Sequence, residues 1–106
     1  MQAITARELK AALDSGAEIQ IIDVRQPDEF AFASIEGSKL IPLSEIISRM
    51  NELAPDVETV VMCRSGMRSA RAIDVLARSG FQGVMKNLTG GILAWSDDVD
   101  PSIPKY

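Results

Sequence analysis

The 106-residue chain contains no histidine and a single cysteine, Cys63. One cysteine leaves no partner for an internal disulfide, so we expect a reducing, cytoplasmic environment. Without histidine, the chain cannot be a cysteine–histidine hydrolase. One cysteine and no histidine also exclude a metal site built from soft ligands, so we expect no metal or other cofactor. No apolar run approaches the roughly 20 residues of a membrane span, and no basic-then-apolar signal opens the chain. We therefore expect no membrane partner.

Aromatic residues are scarce at 5%, although 46% of the residues are hydrophobic and 25% are charged. These proportions are ordinary for a globular protein, and the chain length matches the common size of one domain. We predict a single domain over residues 1–106, with an irregular tail at 97–106 that holds three aspartates and two prolines. The net charge of −4 argues against nucleic acid as a partner.

Hydrophobic patterns typical of strands and helices alternate along the chain. Thr5, with Glu8 three residues later, forms a capping-box pattern at the start of the first helix. Strands are predicted at 19–24, 40–41, 59–62 and 84–88, and helices begin near Thr5, Pro27, Ser44, Met67 and Ile92. This alternation predicts an α/β fold in which a parallel sheet carries helices on both faces.

Cys63 follows a short apolar strand and precedes a polar loop and a helix. This position is the carboxyl end of a parallel strand, where α/β folds bind ligands, and it faces a helix N-terminus that favours an anion. Arg64 and Arg68 add positive charge, so we predict a thiol with a lowered pKa that works as the thiolate. A lone cysteine that ends an apolar run is otherwise most often a small buried hydrophobe.

Positive charge is concentrated in residues 63–78, whereas the rest of the chain is acidic. Arg71 and Arg78 fit a solvated helix face, where Asp74 can pair with either of them. The basic rim beside the thiol suits anionic donors or acidic partner proteins.

Polar residues near other strand ends have two interpretations. Asp23 either marks the point where the strand leaves the core, or hydrogen-bonds to the Cys63 loop and holds it. Arg25 and Glu29 flank a turn and a short helix, which favours a structural ion pair between them. Trp95 fits the core, and the glycine pair at 90–91 fits backbone geometry better than ligand contact.

The loop resembles the active-site loop of the rhodanese-like sulfurtransferases, whose pattern is Cys-Arg-x-Gly-x-Arg-Ser. The loop residues are Cys63, Arg64, Ser65, Gly66, Met67, Arg68 and Ser69. Three further segments resemble that family in the same order: Asp23-Val24-Arg25 with Glu29-Phe30, Ile35-Glu36-Gly37-Ser38 with Ile41-Pro42-Leu43, and Gly90-Gly91-Ile92 with Ala94-Trp95. Many members carry histidine where Ser34 stands, a departure that leaves the Cys63 chemistry in place.

The resemblance implies a rhodanese-like fold with a central parallel five-stranded sheet and a sulfurtransferase that carries sulfane sulfur as a Cys63 persulfide. The loop from Arg64 to Ser69 then stabilises the anionic sulfur through its N–H groups, with Asp23 and Arg25 in support. Implied donors are thiosulfate or a cysteine desulfurase, and implied acceptors are cyanide in an assay or a ubiquitin-like sulfur-carrier protein. The ending 100–106 is similar to rhodanese domains fused to adenylyltransferases that serve molybdopterin, thiamine or tRNA sulfur chemistry.

Two other functions remain open. A phosphatase or arsenate reductase of related fold needs five residues between its cysteine and arginine to encircle a tetrahedral oxyanion. Four residues separate Cys63 from Arg68, and this smaller ring suits one sulfur atom better. An inactive rhodanese module that only binds proteins typically loses the cysteine, which this chain keeps.

Overall fold

The computed structural model describes residues 1–105. Within them lie the strands β1 (Ala3–Ile4), β2 (Ile19–Asp23), β3 (Lys39–Leu40), β4 (Glu58–Met62) and β5 (Met85–Leu88), and the helices α1 (Ala6–Asp14), α2 (Pro27–Phe32), α3 (Met67–Arg78) and α4 (Gly91–Asp98). The strands form one sheet in the order β1-β5-β4-β2-β3, and every pair is parallel. The predicted α/β architecture with a parallel five-stranded sheet is confirmed.

Both faces of the sheet are covered by helices. Successive side chains of a strand point to opposite faces, so β4 contributes to two separate core clusters. In β4, Val60 and Met62 pack into a cluster with α1 and α4, and Trp95 belongs to that core as predicted. Val61 and Cys63 face the opposite side and pack with α3. The thiol therefore lies between the sheet and the helix that follows it.

The first helix begins as the sequence indicates. The Glu8 backbone N–H donates to Thr5 Oγ1 at 3.1 Å, and the Thr5 backbone N–H donates to Glu8 Oε1 at 2.8 Å. These reciprocal bonds satisfy two N–H groups that a helix start leaves free. Among residues 1–105, no helix has the length and apolarity needed to cross a membrane.

The predicted helix from Ser44 is wrong. Two short 3₁₀ turns, Leu43–Glu45 and Met50–Glu52, occupy that segment. The Leu43 N–H donates to Val24 O at 3.0 Å, which fixes the segment to the end of β2. Ile46 and Leu53 are buried there, while Ile47 is half exposed. The segment is therefore held by its bond to the sheet and by these buried side chains, and it lacks the continuous apolar face of a regular helix.

Both ends of the chain also differ from the pattern. Strand β1 was not predicted, because its two residues are too few to show the alternation of apolar and polar side chains that marks a strand. Helix α4 extends to Asp98, two residues into the segment predicted to be an irregular tail. The last residue of that predicted tail, Tyr106, lies outside the described residues.

Candidate active site

Cys63 lies directly after β4, at the carboxyl edge of the sheet, as the sequence predicts. Its side chain is buried, with a relative exposure of 1%. Gly66 precedes α3 with a φ of 117°, a left-handed conformation that L side chains rarely adopt. The chain thereby turns back sharply, and the first turn of α3 comes to lie over the sulfur.

Hydrogen-bond donors from the loop surround the Cys63 sulfur. The Gly66 N–H donates to Sγ at 3.1 Å, and Ser69 Oγ lies 3.4 Å from the same atom. Burial raises the pKa of the Cys63 thiol, but hydrogen bonds from Ser69, Gly66 and Ser65 outweigh burial and lower the pKa overall. The direction matches the expectation from sequence, whereas the cause is the loop's N–H groups and the Ser69 hydroxyl.

Arg68 has a partner that the sequence analysis did not assign to it. Its guanidinium donates to both carboxylate oxygens of Glu29, at 2.6 and 2.9 Å. These bonds, against the effect of burial, lower the pKa of Glu29 to about 2, and the Gln26 N–H contributes. Much of the Arg68 charge is therefore neutralised by Glu29, and the predicted basic rim is weaker at this residue.

The predicted ion pair between Arg25 and Glu29 is wrong, because Arg25 pairs with Asp23. The Arg25 Nη2 atom lies 2.7 Å from Asp23 Oδ2, and both side chains are fully buried. Nη2 also donates to Ala33 O at 2.6 Å. The Asp23 carboxylate lies two residues before Arg25, at the end of β2.

Asp23 was predicted to hydrogen-bond to the Cys63 loop, but its side-chain contacts are with Arg25. The Asp23 carboxylate accepts bonds from the backbone and side chain of Arg25. The strand end that this pair stabilises is itself bonded to the site, since the Val24 N–H donates to Met62 O at 3.0 Å. Asp23 and Arg25 therefore lie beside the site and are joined to it through the backbone of Val24.

The other predicted loop residues differ in exposure. Arg64 is partly buried, whereas Ser65 and Met67 are exposed, Met67 with a relative exposure of 82%. On the rest of α3, Arg78 Nε lies 3.3 Å from Asp74 Oδ2 on the solvated face, one of the two predicted pairings.

The glycine turn before α4 fastens the start of the loop. The Ile92 N–H donates to Cys63 O at 3.0 Å, and a Cβ placed on Gly91 would overlap the carbonyl oxygens of Cys63 and Arg64. The expectation that this glycine serves backbone geometry agrees with the contact.

Asn87 belongs to the site but was not singled out from the sequence. Its Nδ2 donates to Gly66 O at 3.0 Å, and its Oδ1 accepts from Ser69 Oγ at 2.5 Å. A signal was present, because Asn87 is a polar residue near the end of the strand predicted at 84–88. That feature drew attention to Asp23 and applies equally here.

The Glu29–Arg68 pair predicts a specific acid sensitivity. Because the pKa of Glu29 is lower in the folded chain, its contribution to stability is present above about pH 4.5 and is lost as the pH falls towards about 2. Glu29→Gln should remove up to about 3 kcal/mol of this pH-dependent stability. Urea unfolding between neutral pH and pH 2.5 measures it, with the exposed Glu18→Gln as control. Equal pH dependence in wild type and Glu29→Gln would contradict the assignment.

The chain is an α/β domain with a parallel sheet and a buried, hydrogen-bonded thiol at the carboxyl edge of that sheet. Residues 5–98 match the family model of the rhodanese-like domain. The chain belongs to the rhodanese-like domain family.

Named relatives agree with this assignment. The chain is 40% identical over 105 residues to a probable adenylyltransferase/sulfurtransferase, MoeZ, of Mycobacterium tuberculosis, covering 97% of this chain and 26% of the relative. It is 36% identical to a putative sulfurtransferase, YtwF, of Bacillus subtilis, covering 92% of this chain and 93% of that protein. The crystal structure of a rhodanese-like domain protein from Staphylococcus aureus superimposes with a TM-score of 0.85 at 32% identity, covering 100% of this chain and 99% of the other. The family and these names support a sulfurtransferase role.

Proposed function

We propose that this domain is a rhodanese-type sulfurtransferase in which Cys63 carries sulfane sulfur as a persulfide. The observation that carries the proposal is the 3.1 Å hydrogen bond from the Gly66 N–H to Cys63 Sγ. A backbone donor fixed by a left-handed glycine needs no rearrangement to hold a sulfur anion. The single thiol and the donors around it form a complete site for a covalent sulfur carrier.

The reaction proceeds in two half-reactions. The Cys63 thiolate attacks the outer sulfur of thiosulfate, a new S–S bond forms, and sulfite leaves with the electron pair of the broken bond. The product is an anionic persulfide, whose terminal sulfur is stabilised by N–H groups of the loop from Arg64 to Ser69. Cyanide then attacks the terminal sulfur, thiocyanate leaves, and the thiolate of Cys63 returns.

The relatives support a proposal for the physiological partners. This chain spans about a quarter of MoeZ, whose name joins adenylyltransferase and sulfurtransferase. We therefore propose an activated sulfur-carrier protein as acceptor, as in molybdopterin biosynthesis. A cysteine desulfurase persulfide is the proposed protein donor. A reducing cytoplasm suits this chemistry, since it keeps the free thiol available between turnovers.

Substrate comparison tests the proposed function against a phosphatase and an inert module. The wild-type chain is expected to produce thiocyanate from thiosulfate and cyanide, and to hydrolyse aryl phosphates more slowly or not at all. The physical reason is the loop, whose four residues between Cys63 and Arg68 form a small ring around the sulfur. Faster hydrolysis of aryl phosphate than thiocyanate formation would contradict the proposal, and so would the absence of thiocyanate.

A further inference from the structure

One buried hydroxyl at the site faces three acceptors. Ser69 is fully buried, and its Oγ lies 2.5 Å from Asn87 Oδ1, 3.1 Å from Gly66 O and 3.4 Å from Cys63 Sγ. A serine hydroxyl has one proton to donate. The groups around Ser69 therefore compete for that proton, and the strongest acceptor decides where it points.

Asn87 determines the direction of the Ser69 proton. The Gly66 carbonyl can only accept, so the Asn87 atom 3.0 Å from it must be the Nδ2 donor. The opposite atom of the amide is then Oδ1, and Ser69 must donate to it across 2.5 Å. With its proton on the Asn87 side, Ser69 Oγ presents lone pairs to Cys63 and can accept the S–H of the neutral thiol. The hydroxyl lowers the pKa of the thiol only when it turns to donate to the thiolate.

The thiolate requires the opposite arrangement. For Ser69 to donate to a sulfur anion, its proton must leave Asn87 Oδ1, and that acceptor loses its donor. A hydrogen bond lost inside a protein is costly. We propose that Asn87 is a positioning residue that holds the Ser69 proton and so restrains formation of the Cys63 thiolate. It also gives the buried hydroxyl an acceptor whenever the sulfur is not an anion.

This restraint acts against the loop N–H groups, which favour the anion. The charged groups near the sulfur are Arg64 on the loop, Arg68 on α3 with its partner Glu29 on α2, and the Asp23–Arg25 pair after β2. On β5 itself, Lys86 is paired with Glu58 at 2.6 Å. A change at Asn87 leaves all of these charges in place, so its effect can be measured separately. The inference rests on the proposed role of Cys63 as the nucleophile.

A double-mutant cycle tests the proposal through the pH dependence of Cys63 alkylation by iodoacetamide. Asn87→Ala removes the nearest competing acceptor, while the Gly66 carbonyl, 3.1 Å from Ser69 Oγ, remains. It should lower the thiol pKa by about 0.5 to 1 when Ser69 is present. In the Ser69→Ala background there is no hydroxyl to redirect, and the same substitution should cause no such fall. Asn87→Leu, which keeps the branched side-chain shape without polar atoms, should repeat the result if the alanine variant folds poorly.

Gln20→Ala is the matched control. Like that of Asn87, the side-chain amide of Gln20 contacts both a backbone carbonyl and a hydroxyl, those of Ala54 and Thr59. It lies at the opposite end of the sheet and should leave the thiol pKa unchanged. The proposal is overturned if the pKa does not fall in Asn87→Ala and Asn87→Leu, or if it changes equally with and without the Ser69 hydroxyl. Alkylation requires no sulfur donor, so this outcome is independent of whether the proposed sulfur transfer is found.

Discussion

Cys63→Ser is expected to abolish sulfur transfer from thiosulfate to cyanide, leaving less than a few per cent of the wild-type rate. Cys63 is the only thiol in the chain, and a serine hydroxyl is a far weaker nucleophile that forms no persulfide. The fold should survive, because serine is close in size and can still accept the hydrogen bond from Gly66. Thiocyanate formation measures the activity, and circular dichroism with urea unfolding checks the fold.

Cys63→Ala serves as a second variant that carries no hydroxyl at the same position. It should be equally inactive, which separates loss of the nucleophile from any disturbance caused by a buried hydroxyl. Turnover in either variant near the wild-type rate would show that another group carries the sulfur, and would exclude Cys63 as the covalent carrier.

Asp23→Asn is expected to have the largest effect on stability, a loss of about 3 to 5 kcal/mol. The substitution keeps the shape of the side chain but removes the charge that Arg25 requires, and both side chains are fully buried. An unpaired buried guanidinium is far more costly than a broken surface pair. Urea unfolding at neutral pH measures the free energy of unfolding directly.

Asp98→Asn is the matched control for this prediction. Asp98 pairs with Arg7 at 3.8 Å, and both side chains are substantially exposed, so solvent screens the interaction and its loss should change stability little. If Asp23→Asn were no more destabilising than Asp98→Asn, the buried pair would not be a main support of the strand end beside the site.

Local signals in the sequence were sufficient to place Cys63, the proposed nucleophile. An apolar strand that ends at Cys63, a glycine at 66 and a helical pattern from Met67 together predict the strand, turn and helix that the structure contains. Each of these features depends on neighbours within a few residues. The capping box at Thr5 and Glu8 was predictable for the same reason.

Partner choice among charged residues was not predictable in this way. Glu29 and Arg68 are 39 residues apart, and only the folded chain brings α2 against the first turn of α3. Arg25 and Glu29 flank a turn and a short helix, which favoured a pair between them, whereas Arg25 pairs in the core with Asp23. Asn87 was missed because its two partners, Gly66 and Ser69, lie on a different element.

Intact mass spectrometry of the wild-type chain after thiosulfate treatment tests the covalent role of Cys63 most directly. The mass should increase by one sulfur atom, fragmentation should place that atom on Cys63, and cyanide should remove it and release thiocyanate. The Cys63→Ser protein should show no increase under the same conditions. An unchanged mass in wild-type protein whose Cys63 still reacts normally with iodoacetamide would contradict persulfide chemistry and indicate a module that does not carry sulfur.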